Sequence, residues 1–100
     1  MSDADRQPPA GDGVTLPAID FGTFVMSLSH SVLVHLGDAP DPEGQHSIQL
    51  ELARQTIDLL ALLQDKTRNN LTGPEEHLLE QALYDLRLRF VEVSQARKGA

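Results

Sequence analysis

One hundred residues limit this chain to a single modest domain, and the absence of cysteine excludes disulfides, thiol catalysis and thiolate metal sites. The formal net charge of -7 weakens non-specific attraction to phosphate backbones. That acidity is unevenly spread: Asp3, Asp5, Asp12, Asp20, Asp38, Asp41 and Glu43 lie in the first half, whereas from Ser47 onward acids and bases nearly balance.

Residues 1–19 are polar, acidic and rich in Pro and Gly, which reads as a disordered tail preceding a single helical domain over 20–96. No basic start followed by an apolar core resembles an export signal. The longest stretch without formal charge, Phe21 to Gly37, contains three serines and two histidines and is short for a bilayer span. The expectation is a soluble, cytoplasmic protein without membrane insertion.

The spacing predicts a first helix over about 21–36. Asp20 is its N-cap, Phe21, Phe24, Val25, Leu28, Val32 and Leu36 form its apolar stripe, and Gly37 stops it. Ser27, Ser29 and Ser31 are weak helix formers, so this helix depends on packing. The Pro- and Gly-containing run from Asp38 to Gln45 reads as a redirecting loop.

A second helix is predicted over about 47–66. Ile48, Leu52, Leu59, Leu62 and Leu63 define one face, and Leu50, Ala53, Ile57, Leu60 and Ala61 widen it round the cylinder. A helix this apolar is either the centre of the fold or one side of an interchain seam.

The turn that follows carries its own chemistry. Asn69 or Asn70 supplies the left-handed conformation that ends a helix, and Thr72 with Glu75 matches a capping box with Pro74 in the first turn. The third helix is predicted over about 73–96, with Leu79, Ala82, Leu83, Leu86, Phe90 and Val93 inward, and with a frayed end over 97–100. Asp85 and Arg89 are spaced as an ion pair on this helix.

These elements define an all-α fold, a three-helix unit built on an antiparallel helical hairpin. A chain of this size leaves much of its surface uncovered, and pairing two units into a helical-bundle homodimer would bury the surplus leucines. The candidate interface residues are Leu59, Leu62, Leu63, Tyr84, Leu88 and Val91.

Convergent catalytic chemistry is not apparent. His30 and His35 are five apart, which does not aim both at one centre, and His77 follows Glu76 directly and precedes Glu80 by three, the reverse of the Glu-x-x-His order used by bundle metal sites. The reading is therefore no enzyme, no metal and no cofactor. Lys66, Arg68, Arg87 and Arg89 motivate nucleic-acid binding as the alternative. They also complement helix ends or solvate a surface, and a lone tyrosine provides no stacking platform. The favoured function is a homo-oligomeric protein-interaction module, a dimer by preference, with room for a further protein partner.

The segments Phe24 to Leu28, Leu36-Gly37, Ile57 to Leu60, Leu63 to Thr67, Asn70 to Thr72, Glu75-Glu76, Leu78-Leu79, Leu86-Arg87 and Phe90-Val91 resemble the bacterial family of domain of unknown function 1844. The Asp-Lys-Thr run followed by Asn-Leu-Thr is the most specific part. The resemblance implies a small, mostly helical protein of bacterial origin without an assigned activity. It also implies turn-forming roles for Lys66, Thr67, Asn70 and Thr72. Family members usually resemble Lys-Gly-Asn at the turn, where this chain has Arg68-Asn69-Asn70.

Overall fold

A computed structural model describes residues 18–99, so most of the expected acidic tail lies outside the described residues. Three α-helices follow in order: α1 over Phe21–His35, α2 over Leu50–Lys66 and α3 over Gly73–Gly99. The fold is all-helical, and each helix packs against both of the others.

The start of α1 is set by Asp20, whose Oδ1 accepts the Thr23 amide at 2.7 Å. Its end is set by Gly37 at φ 83°, where the Gly37 amide donates to the Val34 carbonyl at 3.0 Å and the Asp38 amide to the Leu33 carbonyl at 2.9 Å. These paired bonds satisfy carbonyls that the helix end would orphan, with glycine in the left-handed position. A β-carbon at Gly37 would also stand 3.0 Å from Ile48 Cγ1.

The buried face of α1 is Val25, Ser29, Val32 and the capping Leu36. Ser29 is tolerated there because its hydroxyl donates to the Val25 carbonyl at 2.8 Å. Phe24, placed on the apolar stripe by spacing, is instead exposed. It sits beside the Val25–Val32–Leu36 line, at the edge of the contact.

The second helix begins three residues later than expected. The Gln49 amide is bonded to the His35 carbonyl at 2.7 Å, and His46 Nδ1 lies 3.0 Å from the Gly37 carbonyl. The connector thus ties back to the end of α1 before helix geometry starts. Ile48 accordingly stands outside α2. Within the loop, Asp41 Oδ1 accepts the Glu43 and Gln45 amides at 2.9 Å each.

The apolar face of α2 differs most from the periodicity reading. Ala53, Thr56, Ile57 and Leu60 are buried, while Leu52, Leu59 and Leu62 face outward. Thr56 fits the inward face because its hydroxyl donates to the Leu52 carbonyl at 2.9 Å. From α3 the core receives Leu79, Leu83, Leu86 and Val93, flanked by half-buried Leu78, Ala82 and Phe90. Helix α3 continues to Gly99, and Arg97 Nη1 reaches the Ile48 carbonyl at 3.4 Å.

The connector is also tied to α3. Arg89 Nε donates to Asp38 Oδ2 at 2.7 Å and Nη2 to Oδ1 at 2.9 Å, a two-pronged pair across 51 residues. The same guanidinium reaches Glu92 at 3.1 Å. Asp85, the partner expected from spacing, instead accepts from Gln81 at 3.1 Å. Geometry explains the exchange, since Asp38 presents both oxygens to the planar fork.

Two outcomes follow. Leu60 is fully buried whereas Leu62 is 52% exposed, so Leu60→Ala should cost about 2–5 kcal/mol in a urea melt. Leu62→Ala should cost less than about 1 kcal/mol. The Arg89 fork holds the Asp38 carboxyl below its ordinary value of 3.8. A depressed carboxyl stabilises the fold above that ordinary value and stops doing so as pH falls through the lower, folded one. Asp38→Asn should therefore melt below the wild type at pH 7, with the gap closing under strong acid; equal melts at pH 7 would refute the tether.

Candidate interaction surface

The turn between α2 and α3 is built from short-range hydrogen bonds. Lys66 is the last residue of α2, and Thr67 caps it, its hydroxyl donating to the Leu63 carbonyl at 2.7 Å. Asn69 takes the left-handed conformation at φ 70°, the only non-glycine with positive φ among the described residues. Asn70 has a different part, its amide donating to the Thr67 carbonyl at 2.9 Å. Thr72 Oγ1 accepts the Glu75 amide at 3.2 Å, and Glu75 Oε1 accepts the Thr72 amide at 2.9 Å. This reciprocal pair satisfies two donors at the start of α3.

Glu75 and Glu76 in the first turn and Arg97 and Lys98 in the last complement the dipole of α3. Leu71 is half-buried against the core, which fixes the turn to the body of the protein. These residues form a hydrogen-bonded corner between α2 and α3.

Five of the six candidate interface residues point outward. Leu59 and Leu62 lie on α2, and Tyr84, Leu88 and Val91 lie on α3, with Tyr84 66% exposed and Leu88 50%. Leu63 differs: it is half-buried against the core cluster. Adjacent leucines on a helix point about 100° apart, so Leu62 and Leu63 cannot share a surface.

Leu52, Phe24 and Met26 add exposed apolar area that the sequence reading left out of the candidate surface. The signal for Leu52 was its place seven residues before Leu59. On α3, Tyr84, Leu88 and Val91 border a shallow groove of about 400 Å³ whose other walls include Gln64, Glu80, Leu83 and Arg87. A second groove lies between α1 and α3, with Gly22, Met26 and Leu78 among its lining residues.

Several basic side chains are engaged locally. Arg54 pairs with Glu51 at 2.7 Å, Arg68 with Asp65 at 3.3 Å, and Arg89 with Asp38 and Glu92. The Glu51 contact raises the Arg54 pKa further above its ordinary value. Among the described residues, no three His, Asp or Glu side chains gather as a metal site, and no helix is long and apolar enough to cross a membrane.

Fold and surface together describe a small three-helix protein that exposes several large apolar side chains. The chain belongs to the family described as domain of unknown function (DUF1844), whose family model matches residues 18–92. No curated protein and no solved structure matches the chain.

The turn makes a direct prediction. Thr72→Ala should lower stability by about 1 kcal/mol without abolishing folding. Asn69→Gly, which removes the β-carbon at the left-handed position, should leave the melting midpoint unchanged or raise it. Denaturant titrations of both variants provide the check.

Proposed function

We propose that this protein is a homo-oligomeric interaction module, with a dimer as its working assembly, acting in the cytoplasm without catalysis. In this reading α2 and α3 form an antiparallel hairpin, and α1 covers one side of it. The observation that carries the proposal is the exposure of large apolar side chains on both long helices: Leu52, Leu59 and Leu62 on α2, and Tyr84, Leu88 and Val91 on α3.

Single exposed hydrophobics are ordinary on a monomer, but repeated ones at helical spacing suit a partner helix. A two-fold pair of identical chains presents the same patch from both sides. A further protein partner could use whichever patch the dimer leaves open. The local pairing of Arg54, Arg68 and Arg89 with carboxylates favours this reading over nucleic-acid recognition.

Sedimentation equilibrium across a wide concentration range tests the oligomeric claim. The apparent mass should rise from one chain of 11.0 kDa towards two. A single-chain mass at every concentration would overturn it.

A further inference from the structure

Residues 38–49 connect α1 to α2 without one buried residue; Ala39 and Asp41 are half-buried and the rest are exposed. A segment with so little apolar burial opens at a lower free energy than the core beside it. Its two ends are pinned together, because the Gln49 amide donates to the His35 carbonyl at 2.7 Å. A surface loop closed at its base in this way can move about that base as one piece. Its middle carries its own turn: Asp41 Oδ1 accepts the Glu43 and Gln45 amides at 2.9 Å each, and the Asp41 amide donates to the Gln45 carbonyl at 2.8 Å. None of these bonds involves a helix, so the turn persists when the loop is lifted.

Two arginines of α3 hold the loop down. Arg89 grips Asp38 through two bonds of 2.7 and 2.9 Å, and Arg97 Nη1, about two turns further along, reaches the Ile48 carbonyl at 3.4 Å. Between them lies a groove of about 720 Å³, with Leu36, Ile48, Val93 and Ala96 as its apolar lining. Val93 is only 6% exposed. Lifting the loop does not strand the Arg89 guanidinium, because Glu92 on the same helix already accepts from Nη1 at 3.1 Å. The guanidinium therefore has a carboxylate partner in both the latched and the lifted arrangement, which narrows the energy gap between them.

We infer that residues 38–48 are a strap that α3 latches through Arg89, and that the strap lifts with its turn intact while the three-helix core stays folded. The hinge is the paired base, formed by Gly37 at φ 83° and the bond between Gln49 and His35. Lifting uncovers the Val93 side of the groove, so the released form presents an apolar wall that the latched form hides. The opposite end of the bundle stays shut, since its corner is closed by the Thr72 and Glu75 pair and by half-buried Leu71. None of this requires the proposed dimer.

The chain has no cysteine, so a single introduced thiol reports the opening. Val93→Cys places that thiol in the groove, and Val25→Cys, at a fully buried site on α1, places it in the core. Labelling by an aromatic disulfide reagent is timed over a series of urea concentrations below the melt. The Val25→Cys rate should rise steeply with urea because it needs global unfolding, whereas the Val93→Cys rate should be faster and nearly independent of urea. Adding Arg89→Gln, or Asp38→Asn from the strap side, should speed the Val93→Cys reaction about fivefold with its slope still shallow. In the unsubstituted protein, hydrogen exchange at the Val93 amide should remain slow, because α3 stays helical when the strap lifts. Equal, steep slopes at both thiols overturn independent release of the strap. A shallow slope at Val93→Cys that ignores both latch variants overturns the latch. An opening constant from Val93 amide exchange as large as that from the thiol means that α3 frays instead, and overturns the strap.

Discussion

The contact on which the whole fold depends is the three-way burial of one narrow stripe from each helix. Val25 and Val32 of α1, Ala53 and Leu60 of α2, and Leu79 of α3 lose all solvent exposure together. No pair of helices could cover these side chains alone, because each stripe touches both neighbours. The serine-bearing α1 is held by this burial rather than by its own helical preference.

Completing that core limits how much else can be buried. Helix α2 carries apolar residues round most of its circumference, yet only the arc through Ala53, Ile57 and Leu60 enters the shared space. Leu59 and Leu62 are left on the outside because the inward arc is already filled. The same holds on α3, where Leu79, Leu83 and Leu86 enter while Tyr84 and Leu88 do not. The outward face follows from the geometry of a three-helix core in a short chain, and it is this face on which the proposed function rests.

Polar contacts place the elements that the core does not reach. The connector after α1 returns its Gln49 amide to the His35 carbonyl and anchors Asp38 on Arg89 of α3. The corner after α2 is closed by Thr67, Asn69, Thr72 and Glu75. One connector thus relies on a contact across 51 residues, whereas the side-chain bonds of the other join residues three or four apart.

That difference separates what was legible in the residues from what was not. Helical class, the number of helices and the capping chemistry of Asp20, Thr72 and Glu75 depend on spacings of three and four, which a linear chain displays directly. The family resemblance was legible for the same reason, in the run from Leu63 to Thr72. Which arc of α2 turned inward was not legible, since its leucines satisfy helical periodicity on more than one side. Nor could the Arg89 partner be read, because Asp85 matched the local spacing and Asp38 became a neighbour only when the loop folded onto α3. By itself the sequence determined the local hydrogen-bonding corners and the amphipathic segments. Only tertiary packing decided which of the apolar faces became the core and which stayed exposed, because that choice depends on the volume three helices can enclose together.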